Sequence, residues 1–360
     1  DDVMNDLSTT SDDGLAPIAG ETVWLGRDMA TRSDWIHELT GDEVTEFEKA
    51  IASVRARDLE IIDVGREDFS LPALEPVLTA IRRDLVDGRG FALIRGVPVE
   101  RWTREDIGLA FWGMGRYLGD AIMQNRKGHV LGHVTDIGVD AADPHFRGYQ
   151  SSANLTPHTD IASDLVALLC LRPAKSGGLS MIASASAIHN EILERRPDLA
   201  AILREPYYID RRDEVPAGKK PYYQLPVYNA HQGKTTVCYI RRFVESAQRF
   251  DEVPRLSDAQ IEAMDLIDTL AKSDEFRLDM DFRPGDIQIV NNLTTLHART
   301  EYEDFPELER RRHLLRLWFA VPEGWQLPKV DFERYERDSH GRPRGVTVPG
   351  VAPVASLEPV

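Results

Sequence analysis

The sequence predicts a mainly β fold with flanking helices, of the double-stranded β-helix (jelly roll) type. From residue 90 onward, short runs rich in β-branched and aromatic residues alternate with helical patterns. The residues best suited to bind a metal lie far apart in the chain, near positions 158 and 297. Scattered strands, and a site built from distant segments, fit this architecture better than a parallel α/β sheet.

The individual elements follow from hydrophobic spacing and from turn residues. In the first helix, Val44, Phe47, Ile51 and Val54 recur at intervals of three and four, and Ser70 precedes the second as an N-cap. The predicted helices are 42–57, 71–86, 103–117, 184–195 and 257–272. The predicted strands are 91–95, 165–171, 179–183, 236–240, 276–280, 286–291 and 313–321.

Three zones organise the chain. Residues 1–20 are polar with little apolar content and are expected to form a disordered tail. Residues 21–89 carry two amphipathic helices, which we expect to form an N-terminal extension that packs on the barrel. Residues 90–360 are expected to form the jelly-roll domain, with an insert around 205–275.

Composition limits the functions that this chain can have. The net charge is −17, from 43 basic and 60 acidic residues, which argues against nucleic acid or a membrane surface as a partner. Cys170 and Cys238 lie in apolar runs and are expected to be buried thiols, as in a reducing compartment. With no long apolar stretch and no charged-then-apolar leader, we expect a cytoplasmic location.

The run His158-Thr159-Asp160 and the distant His297 are the candidate metal ligands. In an extended segment, His158 and Asp160 point to the same side while Thr159 points away. We expect His297 to lie at the end of the strand that contains the apolar run 287–290. Two imidazoles and one carboxylate can hold one face of a ferrous ion and leave positions open. Short motifs also arise by chance, and a lone histidine at a strand end is usually packed or solvated.

Two arginines inside an apolar segment strengthen the metal interpretation. Arg316 lies in the predicted strand 313–321, and Arg312 comes directly before it. Because the two arginines are four residues apart, both lie on one face of this extended segment. An arginine that points into a barrel interior is costly unless it meets an anion. A guanidinium binds a carboxylate through two parallel hydrogen bonds, which suits the distal carboxylate of 2-oxoglutarate. A basic surface strand fits less well, because Leu, Trp and Phe surround these arginines.

From residue 90 to 321 the chain resembles the taurine dioxygenase / clavaminate synthase-like (TauD/TfdA) superfamily of Fe(II)- and 2-oxoglutarate-dependent oxygenases. The resemblance rests on the segments GFALIRG (90–96), TPHTD (156–160), SGGLS (176–180), RPGD (283–286) and the block 297–316. It implies that the two histidines and the aspartate bind iron, and that Arg312 binds the distal carboxylate of 2-oxoglutarate. Ser180 would assist Arg312, although relatives often carry Thr there. Arg316 would lie near the substrate or help to hold the co-substrate.

The resemblance implies that the protein uses Fe(II), 2-oxoglutarate and dioxygen to oxidise a C–H bond of a small molecule, with hydroxylation the expected outcome. Succinate and CO2 would be released. A zinc- or manganese-dependent β-barrel hydrolase or isomerase is the alternative, since the same three ligands would serve it. A non-catalytic binding protein is a further alternative, which the complete ligand set and Arg312 disfavour. Family enzymes are often oligomers, so a homo-oligomer is also open.

The substrate is predicted only by class. Arg316, together with Arg241 or Arg242 after the predicted strand 236–240, suggests that the substrate carries an anionic group. Gln124 lies in a polar stretch expected to line the entrance, and Asn154 is a candidate for the pocket wall. The identity of the substrate, the exact oxidative outcome and a catabolic or biosynthetic role are not predicted by these residues.

Overall fold

The fold was obtained as a computed structural model that describes residues 15–139, 147–325, 327 and 345–359. Most of the predicted disordered tail, residues 1–14, lies outside the described residues. Residues 15–20, at its end, are described, and Ile18 exchanges backbone hydrogen bonds with the side chain of Asn190. The division into an N-terminal extension and a jelly-roll domain stays a prediction.

The described part of the chain is rich in short strands. The strands are β1 Ile36–Glu38, β2 Phe91–Arg95, β3 Asp120–Ala121, β4 His129–Val134, β5 Leu155–His158, β6 Leu165–Arg172, β7 Ser176–Gly177, β8 Ser180–Ser184, β9 Pro206–Asp210, β10 Tyr222–Pro226, β11 Tyr228–His231, β12 Lys234–Val237, β13 Arg277–Met280, β14 Ile287–Asn291, β15 Thr295–Arg299, β16 Tyr302–Glu303, β17 His313–Ala320 and β18 Val354–Ala355. The α-helices are α1 Gly26–Met29, α2 Gly41–Ala56, α3 Glu75–Val86, α4 Arg104–Gly115, α5 Ala185–Arg195, α6 Pro197–Ile202, α7 Arg241–Ser246 and α8 Asp258–Lys272.

Two sheets form the scaffold. The major sheet has the order β1-β2-β14-β6-β17-β4-β18, with β3 also paired to β17, and the minor sheet has the order β13-β8-β15-β5. Their inner faces share one apolar cluster, with Phe91, Val166 and Trp318 from the major sheet and Ile182 and Leu278 from the minor sheet. The predicted mainly β jelly-roll architecture with flanking helices is therefore confirmed as two facing sheets. In the major sheet, β1 pairs with β2 and β18 pairs with β4, both in parallel.

The helices α2, α3 and α4 cover the outer face of the major sheet. In strand β17, Leu315, Leu317 and Phe319 belong to the apolar cluster that these helices share, whereas Arg316 and Trp318 alternate with them and line the cavity between the sheets. This period of two is what a strand imposes. It explains how an arginine can occupy an otherwise apolar strand.

The insert packs on the minor sheet. Helices α5, α6 and α8 and strands β9 to β12 form a second apolar cluster that also contains Ala183 of β8 and Leu296 of β15. The minor sheet is therefore buried on its outer side as well. None of the helices in the described ranges is both long and apolar enough to cross a membrane.

Some predicted boundaries were wrong, each because of a contact between distant residues. Helix α3 begins at Glu75 and not at residue 71, because Glu46 of α2 accepts hydrogen bonds from the backbone N–H groups of Ala73 and Leu74. The predicted strand 236–240 ends at Val237, and Tyr239 instead exchanges backbone and side-chain hydrogen bonds with Thr159.

The strand assignment of His297 was also wrong. His297 lies on β15 of the minor sheet, one turn beyond β14. The turn is built by Asn291, whose Oδ1 accepts from Leu293 N, and by Asn292, whose amide binds Asp160 O and Ser163 O. These contacts move His297 from the major sheet to the minor sheet.

Candidate active site

Strand register brings the two histidines together. In the antiparallel pair of β15 with β5, His297 lies directly opposite His158, and the ring centroids are 4.3 Å apart. Thr159 points the other way, where its Oγ1 accepts a hydrogen bond from Tyr239 N. Asp160, two residues after His158, returns to the same side, as the alternation of an extended segment predicts. Ligand atoms of His158, Asp160 and His297 all lie within 4.8 Å of one another.

The carboxylate of Asp160 is held in a defined orientation. Its Oδ2 accepts a hydrogen bond from Trp318 Nε1 at 2.6 Å and lies 3.7 Å from Arg316 Nη1. Its Oδ1 faces the histidines, 3.3 Å from His297 Nε2 and 3.8 Å from His158 Nε2. Burial alone would raise the pKa of Asp160, but Arg316 and the histidines outweigh burial and hold that pKa well below its usual range. Asp160 is therefore an ionised ligand with one oxygen directed at the site.

The two histidines direct ring nitrogens at the same point. His158 Nδ1 lies 2.6 Å from Thr156 O, a contact that requires the proton on Nδ1 and leaves the lone pair on Nε2. Burial, followed by the charge of His297, lowers the pKa of His158 to about 3. His297 Nδ1 has no hydrogen-bond partner in the described ranges. Two imidazoles and one carboxylate fit a divalent transition metal such as Fe(II), with room for further ligands.

A cavity of about 440 Å³ opens on this cluster. Its volume lies within the usual range for small-molecule sites, which is about 300–1,000 Å³. The cavity lies between the two sheets, and the insert contributes to its wall. The arginines that line it are Arg147, Arg241, Arg242, Arg299, Arg312 and Arg316.

Arg312 lines the cavity next to Gly178 and Tyr302, on the face that it shares with Arg316, as the alternation of β17 predicts. Only 4% of the residue is exposed, and its Nη1 has no hydrogen-bond partner in the described part of the chain. Its guanidinium lies 5.2 Å from the centre of the Tyr302 ring. Burial lowers the pKa of Arg312. A buried cation with one N–H-bearing nitrogen left without an acceptor is the arrangement expected where an anion binds.

Ser180 lines the same cavity as Arg312. It is buried on β8, and its hydroxyl accepts a hydrogen bond of 2.9 Å from Gln288 Nε2, so the hydroxyl hydrogen can be donated elsewhere. Gly178, two residues before Ser180, lets this part of the chain approach the Arg312 guanidinium closely, because a Cβ at position 178 would lie 3.0 Å from Arg312 Nε. Gly178 also has a positive φ of 68°, which favours glycine.

Arg299 was not predicted. It lies two residues after His297 on β15 and opposite Ser180 in the register with β8. Its Nη2 donates to the carbonyls of Ser151 and Ala153, while Nε and Nη1 are buried without a partner in the described ranges. Burial, followed by the charge of Arg312, lowers the pKa of Arg299 to about 10. The signal in the sequence was the spacing of two from His297, which places both side chains on one strand face.

Arg316 and Gln124 form a pair beside the metal ligands. Arg316 Nε donates to Gln124 Oε1 at 2.8 Å, and Gln124 Nε2 donates to the carbonyl of Arg316 at 2.9 Å. The guanidinium lies 4.4 Å from the centre of the Tyr149 ring. Gln124 is 2% exposed and lines both this cavity and the smaller pocket beside it, while its role towards a substrate stays a prediction. Its position indicates that it orients Arg316.

The remaining predicted substrate residues separate into two groups. Arg241 borders the cavity, but its guanidinium binds the carboxylates of Glu245, Asp265 and Asp268 at 2.7–2.9 Å. Its charge is already matched within the insert, so the structure does not favour Arg241 as the group that binds a substrate anion. Arg242 is half-buried in the cavity wall, and Asn154 is exposed at its edge.

The chain matches the profile of the taurine catabolism dioxygenase TauD, TfdA family over residues 55–318. It is 31% identical over 318 residues to FR-33289 synthase from Streptomyces rubellomurinus, covering 87% of this chain and 93% of that protein. It is 30% identical over 318 residues to the taurine hydroxylase-like protein SAT17 from Stachybotrys chartarum, covering 86% and 81%. The chain therefore belongs to the TauD/TfdA family of dioxygenases, which confirms the prediction made from its motifs.

Solved structures show the same fold. Asparagine oxygenase in complex with Fe(II), hydroxyasparagine and succinate superposes with a TM-score of 0.60 at 18% identity, covering 79% of this chain and 93% of that one. The non-heme iron oxygenase OrfP in complex with Fe and alpha-ketoglutaric acid superposes with a TM-score of 0.59 at 16% identity and the same coverage. At such identities the likeness bears on the fold.

Proposed function

We propose that this protein is an Fe(II)- and 2-oxoglutarate-dependent dioxygenase that hydroxylates a C–H bond of a small anionic molecule. One observation carries the proposal. A cluster of two histidines and one carboxylate shares a cavity with Arg312, a buried guanidinium that lacks a hydrogen-bond acceptor at Nη1 in the described ranges. The first feature suits a ferrous ion, and the second suits the distal carboxylate of a dicarboxylate co-substrate.

Each residue of the cluster has a distinct task. His158, Asp160 and His297 would hold Fe(II), which with 2-oxoglutarate and dioxygen supplies the oxidising power that converts C–H to C–OH and leaves succinate and CO2. Trp318 and Arg316 hold the outer oxygen of Asp160, so that its inner oxygen stays directed at the metal position. The Thr156 carbonyl fixes the ring of His158 in the orientation that presents Nε2.

The other end of the cavity would hold the co-substrate. Arg312 offers N–H groups to its distal carboxylate, and the Ser180 hydroxyl donates a further hydrogen bond. Arg299 adds a second buried guanidinium close to Arg312 and so increases the positive potential at this end. Arg299 and Arg312 are both buried, and the lower dielectric of a buried site strengthens such charge-assisted hydrogen bonds.

The proposed substrate is small and carries an anionic group. Arg316 is placed to bind that group near the metal ligands, and a cavity of about 440 Å³ limits the size of the molecule. The names of two relatives refer to compounds with an anionic group: the sulfonate of taurine in one case, and the phosphate of uridine 5′-phosphate in a protein from Amycolatopsis that is 27% identical over 52% of this chain. A cytoplasmic location and a homo-oligomer stay predictions.

A zinc- or manganese-dependent hydrolase is the alternative that the metal ligands alone would allow. Arg312 distinguishes a dioxygenase from a hydrolase, because a hydrolase binds no dicarboxylate co-substrate and so has no use for a buried guanidinium that faces the metal cavity. The experiment is to incubate the purified protein with Fe(II), ascorbate, 2-oxoglutarate and a panel of sulfonates, phosphates and amino acids. We expect succinate release that requires both Fe(II) and 2-oxoglutarate. Hydrolysis supported by zinc or manganese without consumption of 2-oxoglutarate would contradict the proposal.

A further inference from the structure

A side pocket of about 170 Å³ adjoins the cavity of the metal ligands. The two spaces share four residues in their walls: Gln124, Arg147, Tyr149 and Arg316. A substrate bound at Arg316 therefore has the side pocket within reach. The insert contributes Glu214 to the wall of the side pocket.

Glu214 is a buried carboxylate with one unused oxygen. Only 8% of the residue is exposed, and it forms an ion pair of 2.6 Å with Arg147 through Oε1. Its Oε2 is buried and has no hydrogen-bond partner in the described ranges. The ion pair with Arg147 explains one oxygen, but a second buried oxygen without a donor destabilises the fold. A donor group on a bound molecule would satisfy Oε2.

The chain holds Glu214 firmly in this position. Arg212 and Asp213, the two residues before it, have positive φ values of 50° and 62°, which non-glycine residues rarely adopt. Glu214 N donates to Arg211 O at 3.0 Å, and Arg212 N donates to Asp210 Oδ1 at 2.8 Å. The turn is thus fixed by internal hydrogen bonds, and its strain is of the kind found where a side chain must be aimed.

Charge decides which kind of donor fits. The wall of the side pocket carries four cationic side chains, Arg126, Lys127, Arg147 and Arg316, and Glu214 is its one carboxylate in the described ranges, so positive charge exceeds negative charge there. Burial raises the pKa of Glu214, and these arginines oppose that rise. A substrate ammonium at Oε2 would be repelled by the same arginines. A neutral hydroxyl or amide N–H would satisfy Oε2 without this repulsion.

We propose that Glu214 and Arg316 recognise the substrate at two points, Arg316 binding its anionic group and Glu214 Oε2 accepting a hydrogen bond from a neutral O–H or N–H group. This inference rests on the proposed function and defines its substrate class more narrowly. Substrates would be acids that also carry a neutral donor a few bonds from the acid group. The two residues come from different parts of the fold, β17 and the insert, so the insert would contribute directly to specificity.

The test uses three acids of nearly equal size: ethanesulfonate, 2-hydroxyethanesulfonate and 2-aminoethanesulfonate. Their dissociation constants are measured by calorimetry, without oxygen, on enzyme loaded with Fe(II) and 2-oxoglutarate. For the wild type we expect the hydroxyl compound to bind at least about tenfold more tightly than the ethyl compound, as for a hydrogen bond to a charged group. In Glu214→Gln this preference should fall to about threefold or less, because the acceptor loses its charge. The exposed Glu205, changed to Gln, is the matched control and should keep the full preference.

Each other outcome has a definite meaning. An equal hydroxyl preference in wild type and Glu214→Gln would show that Glu214 serves only Arg147, and would overturn the proposal. Tightest binding of the amino compound, lost in Glu214→Gln, would overturn the neutral-donor assignment. If none of the three bound, an anion with a neutral donor would not be sufficient for recognition, and the proposal would also fail. Failure to bind Fe(II) and 2-oxoglutarate would instead contradict the proposed function.

Discussion

The two ends of the cavity differ in how their charges are matched. At the metal end, both oxygens of Asp160 face partners within the protein, and a backbone carbonyl fixes His158. At the other end, Arg299 and Arg312 keep buried N–H groups without acceptors in the described ranges. The carboxylate at the metal end is thus held from within the protein, whereas the arginine end lacks acceptors of its own. Under the proposed function, this difference indicates that the arginine end would select the co-substrate.

Arg241 shows the same contrast within one cavity. It borders the cavity as Arg312 does, yet three carboxylates of the insert surround it. Sequence alone treats these arginines alike, because each borders an apolar run. The number of nearby carboxylates, which depends on the fold, distinguishes a structural arginine from one that binds a ligand.

The largest effect is expected at the metal end. Changing His297 to Ala removes one of three metal ligands, so bound iron and succinate release should both fall below detection. The measurements are metal content after incubation with Fe(II) and succinate formation. His231→Ala, in the β11–β12 hairpin, is the matched control and should retain both. Full activity in His297→Ala would break the assignment of the metal end.

The next largest effect concerns Arg312. Arg312→Ala should raise the KM for 2-oxoglutarate by about 30- to 100-fold, since a charge-assisted pair is worth about 2–3 kcal/mol. Bound iron should not change. Steady-state kinetics at varied 2-oxoglutarate provide the measurement, with the exposed Arg310→Ala as control. An unchanged KM would show that this guanidinium does not bind the co-substrate.

A smaller effect, on stability against pH, is expected from the buried imidazoles of His133 and His313. Unlike His158 and His297, these two histidines form no contact with a carboxylate in the described ranges. His133 Nδ1 lies 2.7 Å from His313 Nε2. Burial lowers the pKa of His133 to about 4 and also lowers that of His313. The unfolded chain therefore binds protons that the native state does not, so stability is lost as pH falls from about 6.5 towards about 4.

Denaturant unfolding at pH 7 and at pH 5 measures this loss. We expect each histidine to contribute about 2 kcal/mol of the decrease at pH 5. His133→Asn should be less stable at pH 7 but should show a weaker dependence on pH. The same pH dependence in the variant would indicate that other groups cause the loss.

The smallest effect is expected for Arg299. Arg299→Lys keeps the charge but loses the Nη2 group that donates to the carbonyls of Ser151 and Ala153. Arg299→Met also removes the charge. We expect the KM for 2-oxoglutarate to rise about fivefold in the methionine variant, or about 1 kcal/mol, and less in the lysine variant. Equal effects in both variants would indicate that Arg299 acts only by holding the loop.

The sequence predicted the parts of the site that depend on local geometry. The spacing of His158 and Asp160, and that of Arg312 and Arg316, follows from the alternation of a strand, and the structure places each pair as expected. His297 was assigned to the wrong strand because the intervening turn is held by Asn292, whose partners Asp160 and Ser163 are remote in sequence.

The residues that the sequence did not reveal owe their positions to distant contacts. Gln288 holds Ser180 from another sheet, and Glu214 reaches the side pocket from the insert. Polar residues in such segments are usually solvated, so nothing local distinguishes the buried ones. Arg299 was within reach of sequence reasoning, and was missed only because no strand was predicted over residues 295–299.

The most direct test of the account is an anaerobic titration of Fe(II) into the protein with 2-oxoglutarate, followed by the visible charge-transfer absorption of the bound pair. The account predicts one such complex per chain in the wild type and none in Asp160→Ala. In Arg312→Ala the same absorption should form, but only at higher 2-oxoglutarate concentrations. Undiminished absorption in Asp160→Ala, or an equal requirement for 2-oxoglutarate in Arg312→Ala, would contradict it.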